Sequence, residues 1–310
     1  MSKSRLLANA GACLIALIVF VMPAHGQVNR SFVSTAGSDA NTITSCTFAA
    51  PCRNFAAAIS ITNPGGEVVA LDSGGYGNGG NTTTINKAVT IDAANVHAAV
   101  STGIGLDSFV VNAGGTDVVV FRGLTMLGAG HSANNGVTIT SAGAVFLERC
   151  QVQGYANNGV NVNATSSVKV LIGNSEVRDN SNDGVFVTTS SGTAAAYIHD
   201  TFFSKNGNAG VEAGDNSKVS VAHSAANFGG SGFRVSSPSG DMTVLDAGAV
   251  NNTTGLTSSA GTLRMAYSMV TQNGSGLSAT NGSLLGTSPG TSAVAGNTSD
   301  GNTTGTFTLK

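Results

Sequence analysis

The side chains best suited to chemistry are a few charged and aromatic residues set in a background of Gly, Ser, Thr, Asn, Ala and Val. Asp183 stands directly before Gly184 in Asn-Asp-Gly-Val-Phe-Val (182–187). Two residues past this glycine and its equivalents come Asn161, Phe186, Glu212 and Arg234, one in each of four successive segments. Carboxylates and a guanidinium on neighbouring turns of chain can serve as general acid, general base and charge-neutralising group. Asp183, Glu212 and Arg234 are therefore the catalytic candidates. Asn161 and the Phe186 ring are candidates for binding a ligand. A second group, Glu148, Arg149, Asn174, His199, Asp200, Lys205, His223 and Asp246, maps to a different face. Asp200 and His223 fall at matching positions of successive segments, with His199 alongside, a pattern suited to a general base, to a metal site or to a solvated polar surface. Serine is too abundant for a Ser/His/Asp set to be read from spacing. No Gly-x-Ser-x-Gly occurs in a strand–turn–helix context.

These residues are positioned by a repeat. Close copies of the 182–187 segment are Asn-Asn-Gly-Val-Thr-Ile (134–139), Asn-Asn-Gly-Val-Asn-Val (157–162) and Asn-Ala-Gly-Val-Glu-Ala (208–213). The repeated glycines, Gly136, Gly159, Gly184, Gly210, Gly232, Gly255 and Gly276, are 23, 25, 26, 22, 23 and 21 residues apart. A near-fixed period of this size marks a solenoid, in which one coil cannot bury its own apolar face and stacking completes the core. Aligned coils give apolar columns such as Phe121, Leu147, Ile172, Ile198, Val221, Leu245 and Met265, with Val119, Val145, Val170, Ala196, Val219, Thr243 and Leu263 two residues earlier. Smaller residues, including Cys150 and Gly248, form another column, followed two residues on by one that includes Val152, Phe203 and Val250. The alternation predicts three short strands per coil. Asn180, Asn206, Asn251 and Asn273 recur at one strand end, either as a hydrogen-bonded amide ladder or as turn residues that tolerate the left-handed conformation.

The Asn-x-Gly-Val-x-Val unit resembles that of the right-handed parallel β-helix, or pectin-lyase-like, superfamily, and the likeness spans residues 67–285. It implies an all-β, single-stranded right-handed parallel β-helix of about 23 residues per coil. It also implies that acidic polysaccharides are a substrate or ligand class to examine. Asn182-Asp183-Gly184 is similar to the polygalacturonase Asn-Thr-Asp-Gly motif, whose aspartate before the glycine is catalytic. The next coil carries Asn208-Ala209 where that family has paired aspartates, and its Gly-His-Gly and Arg-Ile-Lys elements have no counterpart.

Residues 1–26 read as a secretory signal peptide: Lys3 and Arg5, an apolar stretch from Ala10 to Met22, and small residues before Gln27. That stretch is shorter than the roughly 20 residues a membrane span needs, so the mature chain is expected to be secreted, periplasmic or at the cell surface. In an oxidising compartment Cys46 and Cys52 are close enough to form one disulfide loop. Residues 27–66 lack the repeat and carry a helix candidate with Phe55, Ala58 and Ile59 on one face, suited to capping the open end of the solenoid. Residues 286–310 form a final coil or tail. A net charge of −2 with 10% charged residues offers no basic stripe for nucleic acid. No cofactor is expected, and calcium, which some lyases hold through several aspartates, finds no such set here.

The expected function is an exported β-helix without a familiar catalytic constellation that binds polysaccharide along its flank. The alternatives are a polysaccharide lyase or glycoside hydrolase acting on acidic glycans, and a structural or adhesive surface component. The columns themselves are testable. Ile172→Asp would place an unpaired charge in the core and is expected to abolish soluble folded protein; a near-wild-type melting temperature for that variant would refute the column assignment.

Overall fold

The computed structural model describes residues 28–287 and 290–308. The segment read as an export signal, residues 1–26, lies outside the described residues. The chain winds as a parallel β-solenoid of about ten turns with about 24 residues per coil. Each coil gives one strand to each of three parallel sheets, called here sheets 1, 2 and 3 in chain order, which contain 12, 10 and 9 strands among the described residues. In one representative coil Ala144–Glu148 lies in sheet 1, Gln151–Gln153 in sheet 2 and Val160–Ala164 in sheet 3.

Sheets 1 and 2 meet at a corner made by one left-handed residue per coil. Gly123, Arg149, Asn174, Asp200, His223, Asp246 and Tyr267 occupy it, with φ between 46 and 70°. A second left-handed residue leads out of sheet 2, at Gly154, Asp179, Lys205, Phe228, Asn251 and Gln272. That conformation costs roughly 1–2 kcal/mol for a residue with a Cβ. It persists here because the paired strands on both sides leave the corner no other path.

Inward side chains form the continuous columns, with Phe121, Leu147, Ile172, Ile198 and Val221 all fully buried. One coil departs from the expected alignment by a single residue. Val219 pairs with Met242 and Val221 with Val244, so Met242 and Val244 point inward where Thr243 and Leu245 were expected. The slip carries through the coil: Ala249, not Val250, joins the inner column of sheet 2, and the buried Ala247 replaces Gly248. Asp-Met-Thr-Val-Leu (241–245) offers an apolar residue on either face, and with a side-chain period of 2 a one-residue shift inverts the strand.

The asparagines form a ladder. Asn180 Nδ2 donates to Asn206 Oδ1 at 2.9 Å, Asn252 Nδ2 to Asn273 Oδ1 at 3.2 Å, and Asn273 Nδ2 to Asn297 Oδ1 at 2.9 Å. Asn252, not the expected Asn251, is the member from its coil, by the same slip. Gly229 interrupts the ladder and donates its N–H to Asn252 Oδ1 at 3.0 Å.

At the N-terminal end Val28–Val33 already pairs with Thr62–Ala70 as the first two strands of sheet 1. Between them the helix Phe55–Ile61 buries Phe55, Ala58 and Ile59, with the Asn54 side chain accepting from the Ala57 N–H at 2.9 Å. Cys46 and Cys52 are disulfide-bonded, with Cα atoms 5.0 Å apart. Cys150 is buried, and burial pushes its thiol up to about 11, so it packs as an inert small residue. At the other end Gly305–Phe307 adds the last strand of sheet 1. Among the described residues no helix is long and apolar enough to cross a membrane.

The repeated glycines are required by space. A Cβ on Gly184 would lie 2.5 Å from the Gly210 carbonyl oxygen, and one on Gly210 2.7 Å from that of Gly232. Each glycine thus admits the backbone of the coil above it. Gly184→Ala is expected to lower stability by about 1–3 kcal/mol through overpacking, read from a denaturant midpoint; an unchanged midpoint would contradict the close approach.

Candidate functional site

The site lies where the chain enters sheet 3. One carboxylate or amide per coil accepts a backbone N–H from the next coil at this point. Asn135 N–H donates to Asp107 Oδ1, Asn158 N–H to Asn135 Oδ1, and Asp183 N–H to Asn158 Oδ1, each at 3.0 Å. Asp183 continues the series by accepting the Ala209 N–H at 3.0 Å. It therefore does for its coil what asparagines do for the two before.

Its surroundings differ from theirs. Asn208 Nδ2 donates to Asp183 Oδ1 at 2.8 Å and to Glu212 Oε2 at 2.7 Å. Asn208 Oδ1 in turn accepts from Arg234 Nη1 at 2.7 Å. Arg234 Nε sits 3.5 Å from Glu212 Oε2, an ion-pair distance without hydrogen-bond geometry. Asn182 Nδ2 approaches Asp183 Oδ2 at 3.2 Å. One amide thus ties two carboxylates and a guanidinium into a single network.

Asp183 and Glu212 are only 2% and 7% exposed. Burial, and then the charge of Glu212, push the Asp183 carboxyl up to about 7 against the opposing hydrogen bonds from Asn208 and Ala209 and the charge of Arg234. Strand register places Asn161 beside Phe186, Phe186 beside Glu212, and Glu212 beside Arg234. The Phe186 ring passes over Gly214, where a Cβ would lie 3.0 Å from it. Glu212, held between Phe186 and Arg234, is a buried carboxylate, so its pairing with Arg234 is not the exposed surface salt bridge its outward position suggests.

His199, Asp200 and His223 lie elsewhere, at the corner between sheets 1 and 2. His199 Nδ1 is 2.8 Å from Asp200 Oδ2, and His223 Nε2 is 3.4 Å from Asp246 Oδ2. Asp200 and His223 are neighbours in the left-handed column, and Asp200 also borders an open groove of about 580 Å³ with His97, Arg149 and Asn174. Lys205 stands at the other corner, apart from this group. Among the described residues no group of three His, Cys, Asp or Glu is arranged to hold a metal ion.

Asn208 is the member that spacing alone does not single out. Its signal is positional: Asn134, Asn157, Asn182 and Asn208 all stand two residues before a repeated glycine. Only at 208 does such an amide meet two carboxylates.

The raised Asp183 value has a definite sign. Its folded-state value lies above the ordinary 3.8, so the ionised carboxylate costs stability. The cost is absent below about pH 4, grows as the pH rises towards 7, and is fully present above it. Asp183→Asn is expected to raise the melting temperature more at pH 8 than at pH 4.5; equal shifts at both pH values would contradict the buried ionisation.

The crystal structure of the pectate lyase Pel9A superposes with a TM-score of 0.57 at 19% identity, covering 76% of this chain and 69% of that one. The A-module of the Azotobacter vinelandii mannuronan C-5 epimerase AlgE6 aligns with a TM-score of 0.43 at 14% identity, over 75% of this chain and 82% of that one. No curated protein matches the sequence significantly. The family described as "Right handed beta helix region" matches residues 135–303, more than half of the chain. With the three parallel sheets and the stacked columns already described, this match places the chain in the right-handed β-helix family.

Proposed function

We propose that this chain is an exported β-helix that binds a polysaccharide of uncharged sugars along the outer face of sheet 3. The observation that carries the reading is the closed network at Asn208. Both carboxylates are buried and already engaged by protein donors, and the Arg234 guanidinium is held by Asn208 and Glu212. A glycan lying on this face would meet the partly exposed Phe186 ring, the Asn161 amide and the edge of Arg234. An apolar ring face among hydrogen-bonding groups suits a sugar, which carries both C–H and O–H surfaces. With Glu212 neutralising Arg234, the face offers no spare positive charge for a polyuronate.

A second reading rests on the same pair of carboxyls. Their shared contact with Asn208 Nδ2, at 2.8 and 2.7 Å, keeps the two oxygens within about 5.5 Å. That upper bound admits the roughly 5–5.5 Å of a retaining glycosidase pair. Asp183, pushed up to about 7, would be the acid and Glu212 the nucleophile. Burial of both groups weighs against this reading, because neither reaches a substrate without movement of Asn208.

Titrating the protein with neutral and uronate polysaccharides, while assaying new reducing ends and unsaturated products, separates the readings. Binding to a neutral glycan without products is expected. Phe186→Ala should weaken it by about tenfold, the equivalent of about 1.4 kcal/mol. Turnover that disappears in Asp183→Asn would replace the binding reading with the hydrolytic one.

A further inference from the structure

The corner between sheets 1 and 2 takes one or two residues in each coil from Gly123 to Tyr267. One earlier coil departs from this. Between the strands Val89–Asp92 and Ala98–Ser101 the chain spends five residues, Ala93 to His97, where the next coil uses Gly123 alone. The longer corner is fixed in place. Asp92 Oδ1 accepts the Ala94 N–H at 2.9 Å, the Ala93 N–H donates to the Arg122 carbonyl at 2.8 Å, and the His97 N–H donates to Ser73 Oγ at 3.1 Å. It comes down directly on Gly123, where a Cβ would lie 2.7 Å from Ala94 Cα. A wall thus stands beside a corner residue that has no side chain, and Arg149 is the first corner residue beyond it to carry one.

This wall bounds the groove of about 580 Å³, along which Thr125 and Gln151 lie as register neighbours in sheet 2. The volume is that of a small-molecule site, roughly 300–1,000 Å³. The carboxylates around it are already committed. Glu176 Oε2 accepts from Gln151 Nε2 at 3.0 Å, and its Oε1 lies 2.9 Å from Arg178 Nε. Asp200 Oδ2 is 2.8 Å from His199 Nδ1, and Glu148, beside Arg149 in sequence, accepts from Arg122 Nε at 2.8 Å. The Arg149 guanidinium and the His97 imidazole are exposed, and neither has a hydrogen-bond or ion-pair partner among the described residues. The same holds for the Thr125 hydroxyl and the Asn174 amide. No part of this groove belongs to the Asp183–Asn208–Glu212–Arg234 network.

We propose that the groove binds a small hydroxylated molecule that carries one oxyanion, a carboxylate or a phosphate monoester. The backbones of His97 and Arg149 are two coil steps apart, about 10 Å, with bare Gly123 between them, so one small group can touch both side chains. The guanidinium pairs with two oxygens of the anion. His97 adds a ring N–H, which a neutral imidazole keeps in either tautomer. Thr125 and Asn174 offer a donor and an acceptor each to the ligand's hydroxyls. An uncharged ligand leaves the guanidinium without a counter-charge, and a bare inorganic ion leaves most of the groove to water. A long polyanion is disfavoured, because Glu176 and Asp200 border the groove beyond Arg149.

The test is isothermal titration calorimetry of the full chain at low salt with gluconate, glucose 6-phosphate, glucose and inorganic phosphate. At least one of the two hydroxylated anions is expected to bind with a Kd of about 1 mM or lower. Glucose and inorganic phosphate are expected to bind at least about tenfold more weakly. Arg149→Gln should weaken the anion by about tenfold or more, and His97→Ala by about threefold or more, the effects of losing a charged and a neutral hydrogen-bond donor. Phe186→Ala, on sheet 3, should leave this binding unchanged, which separates the groove from the glycan face. Both groove side chains are exposed, and an unchanged melting temperature in each variant confirms that the fold is retained. The proposal is overturned if neither hydroxylated anion binds, if binding is unaltered by either groove substitution, or if glucose or inorganic phosphate binds as tightly.

Discussion

Everything in this molecule depends on one distance, the roughly 4.8 Å between successive coils. At that spacing every strand finds hydrogen-bonding neighbours, and every inward side chain rests on its counterpart one coil away. The same spacing explains the glycine column, since a single methyl group at Gly184 would strike the carbonyl oxygen of Gly210. It also explains the amide ladder, because a buried asparagine can satisfy both its own N–H donors and the backbone of an adjacent coil only when each coil repeats the same geometry.

Strict repetition leaves little room for function, so function has to enter as a departure from it. Asn135 and Asn158 cap their coils with neutral amides, and Asp183 performs the same task with a carboxylate. Glu212 and Arg234 then occupy successive places in an outward column that elsewhere holds Thr138, Asn161 and Thr257. The three departures fall within two neighbouring coil steps, and Asn208 joins them. Stacking converts separations of 22 to 26 residues in sequence into direct contact.

Much of this was legible before any coordinates. The glycine period, the Val-x-Val alternation and the Cys46/Cys52 spacing reflect local constraints that each coil must meet independently. The parts that were not legible depend on more than one coil. At 241–245 the alternation of Asp241 and Thr243 with Met242 and Val244 already marks the inward pair, but the column alignment selected Thr243 and Leu245, because Leu245 offers an apolar residue one position on. Asn208 looked like the position where a catalytic motif fails, because its importance comes from the carboxylates above and beside it.

The left-handed corners have a consequence for how such a protein changes over time. Arg149, Asn174, Asp200, His223, Asp246 and Tyr267 share nearly one backbone conformation while differing in charge, size and polarity. The corner is therefore set by the strands it joins and is largely indifferent to the side chain it carries. Each corner column is in effect a straight row of addresses at coil spacing, where chemistry can be rewritten one residue at a time without disturbing the core. A fold so rigid in its interior is, along these two edges, unusually free to acquire new surfaces.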